Sequence, residues 1–194
     1  MAELLWGYHI QPFPGEVVSG DAVAIRPLDG CTLFAIVDGL GHGEDAHRAA
    51  ILATGYVERH GSHDLLATMA GLHDELLGTR GAAVGLCLIE PSRSRAHYCG
   101  IGNTVIRSST ARSLGLFSHD GIVGQRTRRP RVQHHTLEPG EILILHTDGI
   151  PLRADVFAIA GLFSAHPGGL ARLITQRHAR TSDDAGCVVI RYLS

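Results

Sequence analysis

Between residues 34 and 43 the chain reads Phe-Ala-Ile-Val-Asp-Gly-Leu-Gly-His-Gly, and this stretch limits the possible folds more than any other. An apolar run stops at a single acid and breaks into alternating glycines. Bounded runs of this length suit a strand covered on both faces. Asp38 is thereby delivered to the edge of a sheet. Gly39, Gly41 and Gly43 let the backbone turn sharply and approach a ligand closely. Asp38 has no cationic neighbour in sequence. A carboxylate at the end of a buried strand needs a partner, and a metal ion is one candidate.

The flanking sequence predicts strands over residues 4–10 and 22–28. The turn Leu28-Asp29-Gly30 carries an Asp-Gly hairpin signal. Residues 31–37 then return as the partner strand. Asp21 opens the outgoing strand and Asp38 closes the returning one, so antiparallel pairing sets these two acids side by side. A helix is predicted over 44–60, with Ala46, Ala49, Ala50, Leu52, Ala53 and Val57 as its apolar stripe and Glu44 and Asp45 suited to its N-terminus. Ser62 is the expected cap of a second helix reaching about Leu77. Its inward set is Leu65, Leu66, Met69, Leu72, Leu76 and Leu77.

The period then changes. Residues 82–89, 96–101, 104–109, 113–117, 132–137 and 141–146 read as short strands punctuated by Gly, Pro and Ser. Residues 119–131 form a polar loop. Residues 155–163 and 168–179 are predicted helical, and 187–192 is a last strand. Two helices emerging within an antiparallel set do not fit a doubly wound parallel sheet. They fit two packed sheets with helices outside, an α+β architecture. The chain has 194 residues, 44% of them hydrophobic, enough for one domain over 1–194 with one large core. Trp6 and the phenylalanines are expected in that core.

Four acids, Asp21, Asp38, Asp148 and Asp183, each lie where a predicted strand starts or stops, with Asp184 beside the last. Clustered carboxylates raise one another's pKa unless a cation holds them. All-oxygen ligation suits magnesium or manganese rather than zinc. Two such ions can activate a water and stabilise in-line displacement at phosphorus. The competing reading is ordinary, because Asp-Gly is a common turn and acids at strand ends are usually solvated. Two apolar runs that each end in Asp-Gly, with Gly-Asp and Asp-Asp at other strand ends, favour a site.

Ser19-Gly20-Asp21, Asp38-Gly39-Leu40-Gly41-His42-Gly43, Thr147-Asp148-Gly149 and Asp183-Asp184 together resemble the metal-dependent (type 2C, or PPM) protein phosphatases. The likeness is to the bacterial SpoIIE branch and its short stand-alone stressosome phosphatases. Thr79-Arg80-Gly81-Ala82, residues 98–103 and the ending Arg191-Tyr192-Leu193-Ser194 are further echoes, and the resemblance spans nearly the whole chain. It implies a four-layer αββα sandwich with two manganese or magnesium ions at one end. By motif match Asp38 would bridge both ions, the Gly39 carbonyl and Asp21 would serve one, and Asp148 and Asp183 the other. Asp184 would stand behind the ligands. Asp38 and Asp148 would act through a metal-activated water that attacks phosphoserine or phosphothreonine directly. The implied substrates are phosphorylated STAS-domain stressosome proteins (RsbS- and RsbR-like). In one departure, the family's Asp-Asp-x-Thr is here Asp183-Asp184-Ala185-Gly186, which lacks the hydroxyl. In another, the arginine that clamps phosphate near the N-terminus of larger relatives has no clear match.

His42 can serve as a proton donor to the leaving serine or as a support of the turn. Gly102 and Asn103 sit at a tight strand turn, where fold explains them. Arg126, Arg128, Arg129 and Arg131 offer a docking surface for a phosphorylated partner or nucleic acid, or a solvated loop. His134-His135 alternates across a strand and is read as no metal site. A net charge of -2 gives no reason to expect nucleic-acid or membrane binding. Cys31, Cys87, Cys99 and Cys187 form no Cys-x-x-Cys pair and are expected as buried free thiols, which points to the cytoplasm. A monomer is expected. A non-catalytic module that sequesters a regulator, and a two-metal nuclease, are the competing functions.

Overall fold

The structure is a computed structural model that describes residues 3–110, 116–127, 129–159 and 161–193. Its strands are β1 (Glu3–Gln11), β2 (Asp21–Leu28), β3 (Cys31–Gly39), β4 (Ala82–Glu90), β5 (Arg95–Ile101), β6 (Val105–Ser108), β7 (Ser118–His119), β8 (Gln133–Thr136), β9 (Ile142–His146) and β10 (Ala185–Leu193). Its α-helices are α1 (Glu44–His60), α2 (Leu65–Glu75) and α3 (Pro167–His178). One sheet runs β1-β10-β9-β6. The other runs β2-β3-β4-β5-β7, with β8 also paired to β5. Helices α1 and α2 cover the second sheet and α3 covers the first, which gives the αββα layers expected.

Strand parity explains the layers. On β3, Leu33, Ala35 and Val37 pack beneath the helices, while Phe34 and Ile36 fill the space between the sheets. Asp38 shares the parity of Phe34 and Ile36. On β2, Val23 and Ile25 face the inter-sheet core, and Asp21 shares their parity. Both acids therefore emerge from the gap between the sheets at one rim. The register sets Asp21 directly opposite Asp38, and Leu28 opposite Cys31 across the Asp29-Gly30 turn.

Helix α1 can lie close to this rim because its inner face is small: Ala46, Ala49, Ala50 and Ala53 are all fully buried. A Cβ on Gly39 would collide with the Ala46 carbonyl, so the step after Asp38 has to be glycine. The same holds after Asp148, where a Cβ on Gly149 would meet the Asp184 carbonyl.

Several expectations are corrected. The cap of α2 is Asp64, which accepts from the Leu66 and Ala67 N–H groups, both at 3.0 Å. Ser62 is occupied instead with Asp64 and Thr68. Helix α2 ends at Glu75, and Leu66 and Leu77 point outward. Residues 155–159 and 161–163 are successive turns rather than a helix. Val156, Ile159 and Leu162 are buried at helix-like spacing, but short-range bonds such as Ala158 N–H to the Asp155 carbonyl close single turns. The strand expected over 113–117 falls mostly on residues 111–115, outside the described ones. Pairing there begins at Ser118, and β7 runs parallel to β5, the one parallel pair among the described strands. Trp6, Phe117 and Phe163 are exposed, whereas Phe34 is fully buried. All four cysteines are free and buried. No helix among the described residues is long and apolar enough to cross a membrane.

Candidate active site

Four separate chain segments meet at the rim. Asp38 ends β3, Asp21 opens β2 opposite it, Asp148 follows β9, and Asp183 precedes β10. Asp38, Asp148 and Asp183 line a cleft of about 550 Å³ with Leu40, Gly41, Asn103 and Asp120. Asp21 lies deeper and is nearly sealed from solvent. Burial first, and then the charges of Asp148 and Asp183, push the Asp38 carboxyl up to about 8. Burial and Asp38 raise Asp21 well above the carboxylate range, and burial and Asp148 raise Asp183. No arginine or histidine is among the described residues that line this cleft, although Arg80 stands beside its wall at Gly41 and the charge of Arg180 reaches Asp183. The nearest buried imidazole, His146, is pushed down to about 4 by its burial and brings the acids no positive charge at neutral pH.

Three side chains that sequence reasoning undervalued hold the acids in place. Asn103 donates from Nδ2 to the Asp148 carboxylate at 2.8 Å, so this residue faces the cleft and does more than shape a turn. Thr147 donates to Asp21 at 2.6 Å and accepts from the Gly186 N–H at 2.9 Å. Its hydroxyl serves the segment where the Asp183-to-Gly186 sequence has none. Asp184 accepts from the Phe13 and Gly20 N–H groups at 2.8 and 2.9 Å. It pins the loop that delivers Asp21. The signals for these roles were faint: each residue neighbours a strand end, but its partner is distant in sequence.

Replacing Thr147 by valine keeps the shape and removes both bonds. It is expected to destabilise the protein by about 1–3 kcal/mol in urea unfolding, since a buried carboxyl and a buried N–H lose their partners.

His42 is exposed. It stacks on Phe13 at 4.7 Å and meets Glu16 at 3.2 Å, and it is not among the residues lining the cleft. Arg126, Arg129 and Arg131 are exposed, and Arg128 lies outside the described residues. The Arg126 carbonyl accepts from the N–H of the cleft-lining Ile122, so this loop flanks the cleft. His134 pairs with His97 at 2.7 Å, and His135 with Glu141 at 2.7 Å. A larger cavity of about 860 Å³ lies alongside and shares Gly102 and Asn103 with the cleft, but it contains no carboxylate.

Residues 28–192 match the Stage II sporulation protein E (SpoIIE) family. The chain belongs to the SpoIIE family. It is 25% identical over 138 residues to the phosphoserine phosphatase RsbX of Bacillus subtilis (strain 168), which covers 70% of this chain and 69% of that protein. A solved structure described as "The bacterial stressosome: a modular system that has been adapted to control secondary messenger signaling" superposes with a TM-score of 0.89 at 27% identity, covering 97% of this chain and 100% of the other. RsbX in complex with magnesium superposes with a TM-score of 0.82 at 20% identity, covering 99% and 98%. By family the chain is a SpoIIE member, and its fold is that of the RsbX structure.

The chemistry of this SpoIIE-family cleft suits a divalent cation. Hard oxygen donors are gathered there, and burial together with their mutual repulsion raises their pKa values, a cost that a bound cation would relieve. Among the described residues no three His, Cys, Asp or Glu side chains are already closed around one point. The fit therefore rests on the donor set and not on a preformed cage.

Proposed function

We propose that this chain is a metal-dependent protein serine/threonine phosphatase, working as one catalytic domain, that dephosphorylates STAS-domain proteins of a stressosome. The observation that carries the reading is the meeting of Asp21, Asp38, Asp148 and Asp183 at one rim in a SpoIIE-family chain. The likeness to RsbX and to the stressosome structure supports the substrate class. The four buried free thiols support a reducing compartment such as the cytoplasm.

Asp21, Asp38, the Gly39 carbonyl, Asp148 and Asp183 would hold two manganese or magnesium ions. Bound there, such ions supply a nucleophilic water at neutral pH and neutralise charge on the phosphoryl oxygens. The protein's own part is positioning. Asn103 fixes the Asp148 carboxylate, Thr147 fixes Asp21, and Asp184 ties down the backbone leading to Asp21. Fixed ligands lose less freedom when a cation and a phosphate arrive. The cleft is open and about 550 Å³ in volume, which suits a phosphorylated side chain presented on a protein surface. The exposed Arg126, Arg129 and Arg131 provide a cationic flank for such a partner.

The test is release of phosphate from phosphoserine STAS-domain proteins and from p-nitrophenyl phosphate. Manganese or magnesium is expected to support it and a chelator to abolish it. Binding of a phosphorylated partner with no phosphate release from any substrate would favour the sequestering module.

A further inference from the structure

The motif Thr79-Arg80-Gly81-Ala82 plays no part in holding the acids, yet it reaches their cleft. Its backbone is fixed on both sides of Arg80. The Thr79 hydroxyl donates to the Leu76 carbonyl at 2.7 Å and accepts from the Gly81 N–H at 2.9 Å. The Gly81 carbonyl accepts from the N–H of the cleft-lining Leu40 at 3.0 Å. The Arg80 carbonyl accepts from the Gln125 side chain. From this anchored position the guanidinium extends over the cleft wall. Its Nη1 lies 3.1 Å from the point that a Cβ on the cleft-lining Gly41 would occupy. Its Nη2 rests on Asp45 of α1 at 2.8 Å, in an ion pair whose two side chains are half-exposed or more.

Resting on the phosphatase reading above, we propose that Arg80 is a substrate-binding residue that receives the phosphate of the incoming phosphoserine. A phosphate dianion approaching Asp38, Asp148 and Asp183 meets repulsion from each carboxylate that a cation does not neutralise. Arg80 places a guanidinium beside the lining residue Gly41. Solvent-exposed ion pairs are weak, so Asp45 holds the side chain in place at rest and releases it readily to a stronger anion. A planar guanidinium grips two phosphoryl oxygens at once, which an ammonium does not match. A glycine at position 41 leaves the space through which the side chain passes.

Steady-state kinetics at saturating manganese test this in the full chain. The substrates are p-nitrophenyl phosphate and a phosphoserine peptide, with inorganic phosphate as competing inhibitor. Arg80→Ala is expected to raise KM for both substrates about tenfold and to weaken phosphate inhibition by about the same factor. The expected kcat stays within about twofold, the pattern of a lost binding contact. Arg80→Lys is expected to fall between. Unchanged KM and phosphate inhibition in an active Arg80→Ala protein would overturn the proposal. So would a KM rise confined to the peptide, or a fall in kcat with phosphate inhibition intact. Asp45→Ala removes the resting partner and keeps the cation, so its KM is expected to stay level or fall. A rise there would contradict the proposal even if Arg80→Ala fails to fold. A wild-type protein inactive on both substrates, with metal bound, contradicts the phosphatase reading itself.

Discussion

Asp38→Asn is expected to lower phosphate release by about a thousandfold or more, equivalent to about 4 kcal/mol of barrier. The substitution keeps the side chain's size and its place opposite Asp21 at the end of β3. It removes the carboxylate that faces Asp148 and Asp183 and so weakens the hold on both proposed ions. Stability of the metal-free protein should move the other way. Asp38 titrates at about 8 in the folded protein against an ordinary value of 3.8. Below that ordinary value both folded and unfolded chains keep the proton. Between about 4 and 8 the unfolded chain has lost it and the folded chain retains it. Folded protein therefore binds more protons across that window, and its stability falls as pH rises. Asp38→Asn is expected to flatten this decline in chelator-treated protein, read as the urea midpoint against pH. A full-rate Asp38→Asn enzyme would remove Asp38 from the chemistry.

Phe34→Ala is expected to cost about 3–5 kcal/mol, a large part of the stability of an ordinary domain. Phe34 is fully buried between the sheets among Ile36, Tyr98, Leu143, Leu145, Val188 and Ile190. Trp6 meets it edge-on at 6.2 Å. Both sheets contribute to this packing, so the cavity cannot close by moving one side chain. Urea unfolding followed by circular dichroism reads the loss. A cost below about 1 kcal/mol would mean that the sheets do not close on this ring.

The acids were legible because each sits at a change of pattern. An apolar run with strand character has a definite end, and hairpin pairing fixes what lies opposite it. The juxtaposition of Asp21 and Asp38 followed from the Asp29-Gly30 turn alone. The supports were not legible, because Asn103, Thr147 and Asp184 bond to groups 45, 126 and 171 positions away. Local pattern carries no record of such contacts. Boundaries failed where two polar residues competed for one role, as Ser62 and Asp64 did at the start of α2. They failed again where buried spacing mimicked a helix, as with Val156, Ile159 and Leu162. Gly161, with φ of 75°, interrupts that run. Trp6 and Phe163 were misplaced because an aromatic ring at a strand or turn can cover the core's edge without entering it.

Titration of manganese into chelator-treated protein, followed by calorimetry, shows whether the four aspartates bind divalent cations together. Wild-type protein is expected to take up about two ions per chain, with proton release because raised carboxyls must ionise, and Asp38→Asn to bind at least about a hundredfold more weakly. Wild-type protein that takes up no manganese, or Asp38→Asn protein that binds it as tightly as wild type, would contradict that joint binding.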